Sequence, residues 1–171
     1  MHTWADVAVI VKARSKPGRF AARAAAGLPF LLAEGDVVSF VPPKLDVPRQ
    51  AEVRSVELVD EHKAEVEFDG VETADVAREL VGMHCLIRRS EIDGELFEDA
   101  PGLWEEWDVV DGQLGKVGVV VGIVDNAAQS LLEVAEADRT FLVPIVDDIV
   151  VGLDIDAHIV HVELPQGLMD L

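Results

Sequence analysis

Short runs of alternating apolar and polar residues fill most of this chain, the period of strands with one buried face. Lys63–Phe68 is the cleanest case, with Ala64, Val66 and Phe68 on one face. Gln50–Val59 alternates less regularly through Val53, Val56 and Leu58, and Asp60-Glu61-His62 between the two reads as a hairpin loop. Trp4–Lys12 and Val37–Val41 are further strand candidates. Pro42-Pro43 ends the second of these, because proline cannot donate to a ladder. Phe20–Ala26 is ambiguous, its alanines favouring helix and its position favouring strand. One helix is well signalled over Ala74–Val81. Thr73 stands at the N-cap, Asp75 in the first turn and Gly82 at the stop. A strand over Met83–Arg89 follows.

Residues 90–102 change the pattern. Glu91, Asp93, Glu95, Glu98 and Asp99 are interleaved with Gly94, Pro101 and Gly102, a composition poor in core formers. Beyond it short β-branched runs return: Trp107–Val110, Lys116–Val124, Leu131–Glu136, Phe141–Val143, Ile149–Gly152 and His158–Leu164. Such short strands between turn formers mark small barrels or antiparallel sheets. The expected architecture is therefore mostly β. Two small β-barrel domains, 1–90 and 103–171, are joined by a linker at 91–102, and the first is capped by one short helix.

Composition sharpens this picture. Half of the 171 residues are hydrophobic but only 5% are aromatic, with no Tyr, so the core is aliphatic. The single cysteine, Cys85, excludes an internal disulfide and is expected to be a buried, inert thiol. Asp6 interrupts the early apolar run, so no signal peptide is expected, and no apolar stretch reaches the ~20 residues of a membrane helix. The expectation is a cytoplasmic protein with no membrane partner.

The formal net charge of −19 is unevenly spread. Residues 1–91 hold 12 Lys+Arg against 15 Asp+Glu, whereas residues 92–171 hold 2 against 18. Within the first half, Lys12, Arg14, Lys16, Arg19 and Arg23 face only Asp6 over residues 1–23. An acidic half repels a nucleic-acid backbone and attracts basic proteins, while a basic loop suits phosphate. General solubility explains the charge equally well.

Catalytic chemistry is not visible. His2, His62, His84, His158 and His161 lack metal-ligand spacing. Asp147, Asp148, Asp154 and Asp156 lack the calcium-loop pattern and read as acidic turns. Gly115-Lys116 lacks a phosphate loop's upstream glycine. No enzyme activity, metal or cofactor is expected. Trp4 reads as core. Trp104 and Trp107 sit among Glu105, Glu106 and Asp108, which places at least one of them near solvent and leaves core and interface roles equally open.

The stretch from Phe141 to Leu171, FLVPIVDDIVVGLDIDAHIVHVELPQGLMDL, resembles the closing segment of the bacterial ribosome maturation factor RimM family. The resemblance extends through FDGVETADVARELVGMHCLIRRSEI, with Gly70, Ala77, Leu80 and Gly82 in register. It continues through Leu114-Gly115-Lys116-Val117 at the start of a PRC-barrel. Lys12 and Gly18 match the family's first loop. There Arg14, Ser15 and Arg19 depart from it, making the loop more basic. The family's Tyr-Tyr-Trp motif is absent, and Phe97, Trp104 and Trp107 are the aromatics of that stretch. The resemblance implies a monomeric factor that assists assembly of the small ribosomal subunit head and processing of its RNA. It implies binding to the subunit precursor and to small-subunit ribosomal protein nineteen. Expected contacts are Lys12, Arg14, Lys16 and Arg19 to RNA, and Phe97, Trp104, Trp107, Asp147 and Asp148 to the ribosomal protein. An adaptor of two barrels binding another basic protein is the alternative.

Overall fold

The computed structural model describes residues 3–170, so His2 and Leu171 lie outside the described residues. The chain divides into two units at Ile92/Asp93.

In the first unit, six strands close into a ring. They are β1 (Trp4–Ala13), β2 (Arg19–Ala24), β3 (Val37–Val41), β4 (Gln50–Leu58), β5 (Lys63–Phe68) and β6 (His84–Arg88). Their order around the barrel is β1-β2-β5-β4-β3-β6. The ambiguous Phe20–Ala26 stretch is strand as far as Ala24, because Ala22 and Ala24 are buried with Phe20 in the interior between β1 and β5. Small side chains there leave room for the large ones opposite. Phe68 packs against Phe20 at 5.9 Å and edge-on to Phe40 at 5.2 Å. β1 bulges twice, between Asp6 and Ala8 and between Ile10 and Lys12, which bends it enough to pair with both β2 and β6.

Helix α1 (Ala74–Leu80) starts where Thr73 accepts a hydrogen bond from the Val76 N–H at 3.2 Å, and it buries Ala77 and Leu80. After it, the Gly82 N–H donates to the Ile10 carbonyl at 2.8 Å, returning the chain to β1. Cys85 lies wholly inside the barrel, and burial pushes its thiol pKa up to about 12, with the nearby Asp6 adding to the shift.

The second unit opens with the acidic stretch, which forms a short helix α2 (Leu96–Asp99) and a 3-10 turn over Pro101–Trp104, with Ala100 and Leu103 buried. Six strands follow: β7 (Asp108–Asp111), β8 (Gly115–Asp125), β9 (Ser130–Glu136), β10 (Arg139–Pro144), β11 (Val150–Asp154) and β12 (Ile159–Val162). The sheet order is β10-β9-β8-β7-β12-β11, antiparallel except for the parallel β12–β7 pair. Val109, Val120, Leu132, Val134, Val143 and Val160 form its fully buried centre, with Trp104 and Trp107 at the edge of the same cluster.

One carboxylate locks this unit together. Asp111 is only 5% exposed. Its Oδ1 accepts the N–H groups of Gln113 and Leu114 at 2.8 and 2.9 Å, shaping the turn into β8. Its Oδ2 accepts the Leu164 N–H at 2.8 Å, fastening the segment after β12. The Leu164 bond first, then those from Leu114 and Gln113, hold the Asp111 carboxyl below its ordinary pKa.

Candidate interaction surfaces

The basic loop after β1 is built around Gly18. A Cβ there would lie 2.9 Å from the Phe68 carbonyl oxygen, and the backbone φ is +88°, so the tight approach to β5 requires glycine. That approach also sets the charges. β5 alternates, so Glu65 and Glu67 share the outer face beside β2 and β4. Arg14 meets Glu65 at 2.6 Å and Lys16 meets Glu67 at 2.8 Å. Arg19 meets Glu57 at 2.9 Å. Arg54 reaches Glu67 at 3.3 Å and also pairs with Asp69. The hydrogen bond from Lys16, helped by Arg54, holds the Glu67 carboxyl below its ordinary pKa. The loop is thus one side of a ladder of ion pairs rather than a bare cationic patch. Among the described residues Lys12, which is exposed, has no ion-pair partner.

The aromatics are placed differently from the expectation that at least one of Trp104 and Trp107 lies near solvent. Both are buried, at 3% and 2% exposure. The acids around them point outward while the indoles complete the core. The Trp104 Nε1–H donates to the Phe97 carbonyl at 2.6 Å. Trp107 stacks with Phe97, ring centroids 5.7 Å apart, and with His158 at 5.2 Å. Of the three aromatics only Phe97 is partly exposed. Trp4, read as core, is half-buried, with the Arg88 guanidinium 5.1 Å from its ring centroid.

Asp147 and Asp148 are both exposed in a tight turn, where the Ile149 and Val150 N–H groups donate to the Val146 carbonyl at 2.9 and 2.8 Å. This turn borders a groove of about 400 Å³. Glu98 and Asp99 of α2 line it together with Asp147. Val146 and Val151 supply exposed apolar surface, and Trp104 lies at its base. Every charged residue lining the groove is acidic. The two basic residues of this unit are engaged elsewhere, Lys116 with Asp108 at 2.8 Å and Arg139 with Glu136 at 2.7 Å. The groove therefore brings together Trp104 and Asp147 of the residues read from sequence, and adds Glu98, Asp99, Val146 and Val151. Their distance along the chain hid them. The acidic run at 91–102 was the one signal available.

Among the described residues no group of three or more His, Cys, Asp or Glu is placed to hold a metal ion. No helix there is long and apolar enough to cross a membrane. His158 stacks on Trp107 while His161 stands in β12 opposite Gly152, and the Asp154 carboxylate caps its own turn by accepting the Ala157 N–H at 2.9 Å.

Residues 101–168 match the RimM PRC barrel domain. The chain is 31% identical over 134 residues to ribosome maturation factor RimM of Koribacter versatilis, a match covering 73% of this chain and 64% of that protein. It is 28% identical over 109 residues to the factor of the same name from Christiangramia forsetii, covering 61% of this chain and 60% of that one. The chain thus spans somewhat under two thirds of the length of these curated relatives. A solved RimM structure from Pseudomonas aeruginosa aligns over 98% of this chain at 18% identity, with a TM-score of 0.39, too loose a superposition to argue from. Residues 101–168 thus match the family's PRC barrel, and over 61–73% of its length the chain is similar to ribosome maturation factors of the RimM family.

Proposed function

We propose that this protein assists maturation of the small ribosomal subunit as a non-enzymatic, monomeric cytoplasmic factor. It docks on the precursor subunit through its second unit, which binds small-subunit ribosomal protein nineteen. The observation that carries the reading is the charge division within a chain similar to the RimM family: 18 acidic against 2 basic residues from 92 onward, gathered around an apolar core. A basic ribosomal protein is the complementary partner, and long-range attraction speeds the encounter more than it deepens affinity. Asp147, Asp148 and the exposed part of Phe97 face that partner, while Trp104 and Trp107 support the surface from beneath. RNA contact falls to Lys12, with Arg14, Lys16 and Arg19 contributing when phosphate displaces their carboxylate partners.

The test is cosedimentation of the full chain with immature small subunits. It is paired with binding of the purified full chain to the ribosomal protein across a salt series. Association that weakens with salt supports the reading. Absence of the chain from the subunit fractions would reject it, and binding to a basic protein without subunit association would favour the adaptor role.

A further inference from the structure

Four successive residues of β11, from Val150 to Leu153, line the acidic groove. Neighbouring side chains of a strand point to opposite faces. The register shift between Val150 and Gly152 breaks that alternation at Val151, but it resumes over Gly152–Leu153, so a groove touched by all four runs along the strand's edge rather than over one face. β11 is the last strand of its sheet and pairs with β12 on one side only. Beyond the bulge at Val151, and with the Val150 N–H held by the Val146 carbonyl, its other side from Gly152 to Asp154 presents a strand edge of the kind that accepts an added strand. Val151, half exposed, stands beside it. The charged neighbours, Glu98, Asp99 and Asp147, carry one sign.

We infer that this groove binds an extended basic polypeptide segment, which adds to β11 as a further strand. An apolar side chain of the segment covers Val146 and Val151 above Trp104, and its Lys or Arg side chains meet Glu98, Asp99 and Asp147. The inference rests on the proposed function and specifies its docking mode. Charge decides the occupant. Phosphate is repelled by a lining with no cation, and a second copy of so acidic a surface is repelled as well.

The experiment uses the full chain and short synthetic peptides followed by fluorescence anisotropy. One peptide alternates Lys and Val. A second alternates Lys and Ser with equal charge. A third is the Lys–Val peptide with alternate amides N-methylated, which keeps its charge and side chains but removes strand donors. We expect the first to bind and the second and third to bind about tenfold or more weakly, since each lacks one element of recognition. Val151→Lys, at a half-exposed position that leaves the core untouched, is expected to weaken the first peptide about tenfold, because it sets a like charge in the peptide's path and removes apolar surface. Equal binding of the N-methylated peptide would overturn strand addition. Binding of a single-stranded RNA in competition with the peptide, or self-association abolished by Val151→Lys, would overturn the choice of occupant. Wild-type cosedimentation with immature subunits separates the two levels. If it succeeds while the Lys–Val peptide does not bind, the groove is refuted and the function stands. If it fails while that peptide binds, the function is refuted and the groove stands.

Discussion

Replacing Asp111 by Asn should destabilise the second unit far more than its isosteric shape implies. Three backbone N–H groups converge on the carboxylate, two on Oδ1 and one on Oδ2, at 2.8 to 2.9 Å. An amide has one acceptor oxygen. If that oxygen keeps the Gln113–Leu114 turn, its NH2 group faces the Leu164 N–H, donor against donor. If it turns to Leu164, the turn loses both bonds. At least one hydrogen bond to a charged acceptor is lost and a half-buried N–H is left unpaired, a cost of roughly 2–3 kcal/mol. For a unit of this size that corresponds to a fall of about 10–20 °C in melting temperature. Asp111→Ala removes all three bonds and should cost about 3–5 kcal/mol. Urea titration followed by tryptophan fluorescence reads the effect, because Trp104 and Trp107 report on this unit. Circular dichroism checks that the first unit's transition stays in place. The acidity of the carboxylate adds a second criterion. Its folded pKa lies below its unfolded value of about 3.9, so its stabilisation is present above that pH and is lost as pH falls through the folded pKa. The gap between wild type and Asp111→Asn should accordingly narrow below about pH 4. An Asn variant within about 0.5 kcal/mol of wild type at neutral pH, the range of ordinary surface changes, would refute this account, as would a gap that stays constant into acid.

Gly118→Ala should cost about 3 kcal/mol or more in thermal melts, because a Cβ there would lie 2.4 Å from the Ala135 carbonyl oxygen. Gly112→Ala, where a Cβ meets nothing within 4 Å, should shift the melt little. Arg14→Ala with Arg19→Ala should leave thermal stability nearly unchanged, because these ion pairs are exposed, yet lower the salt slope of precursor-subunit association by up to about two. Equal loss of ribosomal-protein binding in that variant would point to a structural loop instead. Cys85 should resist thiol reagents at pH 8 in the native protein and react fully in denaturant, since its pKa is raised to about 12 inside the barrel. Rapid native labelling would contradict the placement.

Alternation made the strands legible, and Thr73 with Gly82 bounded α1 within a residue or so of its observed ends. What stayed hidden depends on register. The outward glutamates of β5 were readable as a polar face, but only the pairing of Arg19 with Glu67 and Ala21 with Glu65 shows that they meet the basic loop. Phe20–Ala26 could not be settled locally, because alanine is a good helix former and its burial against β1 and β5 outweighs that preference. Trp104 and Trp107 looked partly exposed because Glu105, Glu106 and Asp108 dominate the local composition. Burial there is decided by strands more than ten residues away. Asp111 was equally silent, its partner Leu164 being 53 residues further along. The groove joins α2 to the turn before β11, a juxtaposition no short window contains.

The parallel pairing of β12 with β7 has a consequence for synthesis. β1 to β6 are complete once Arg88 has been made, so the first ring can close early. The second sheet cannot. After β7 to β10 have emerged, β7 remains an open edge until Ile159–Val162 arrives to cover it, and unpaired edges are where growing chains stick to one another. The nascent protein thus passes through an interval with one finished half and one unfinished, adhesive half, which ends when β12 slots in between β7 and β11.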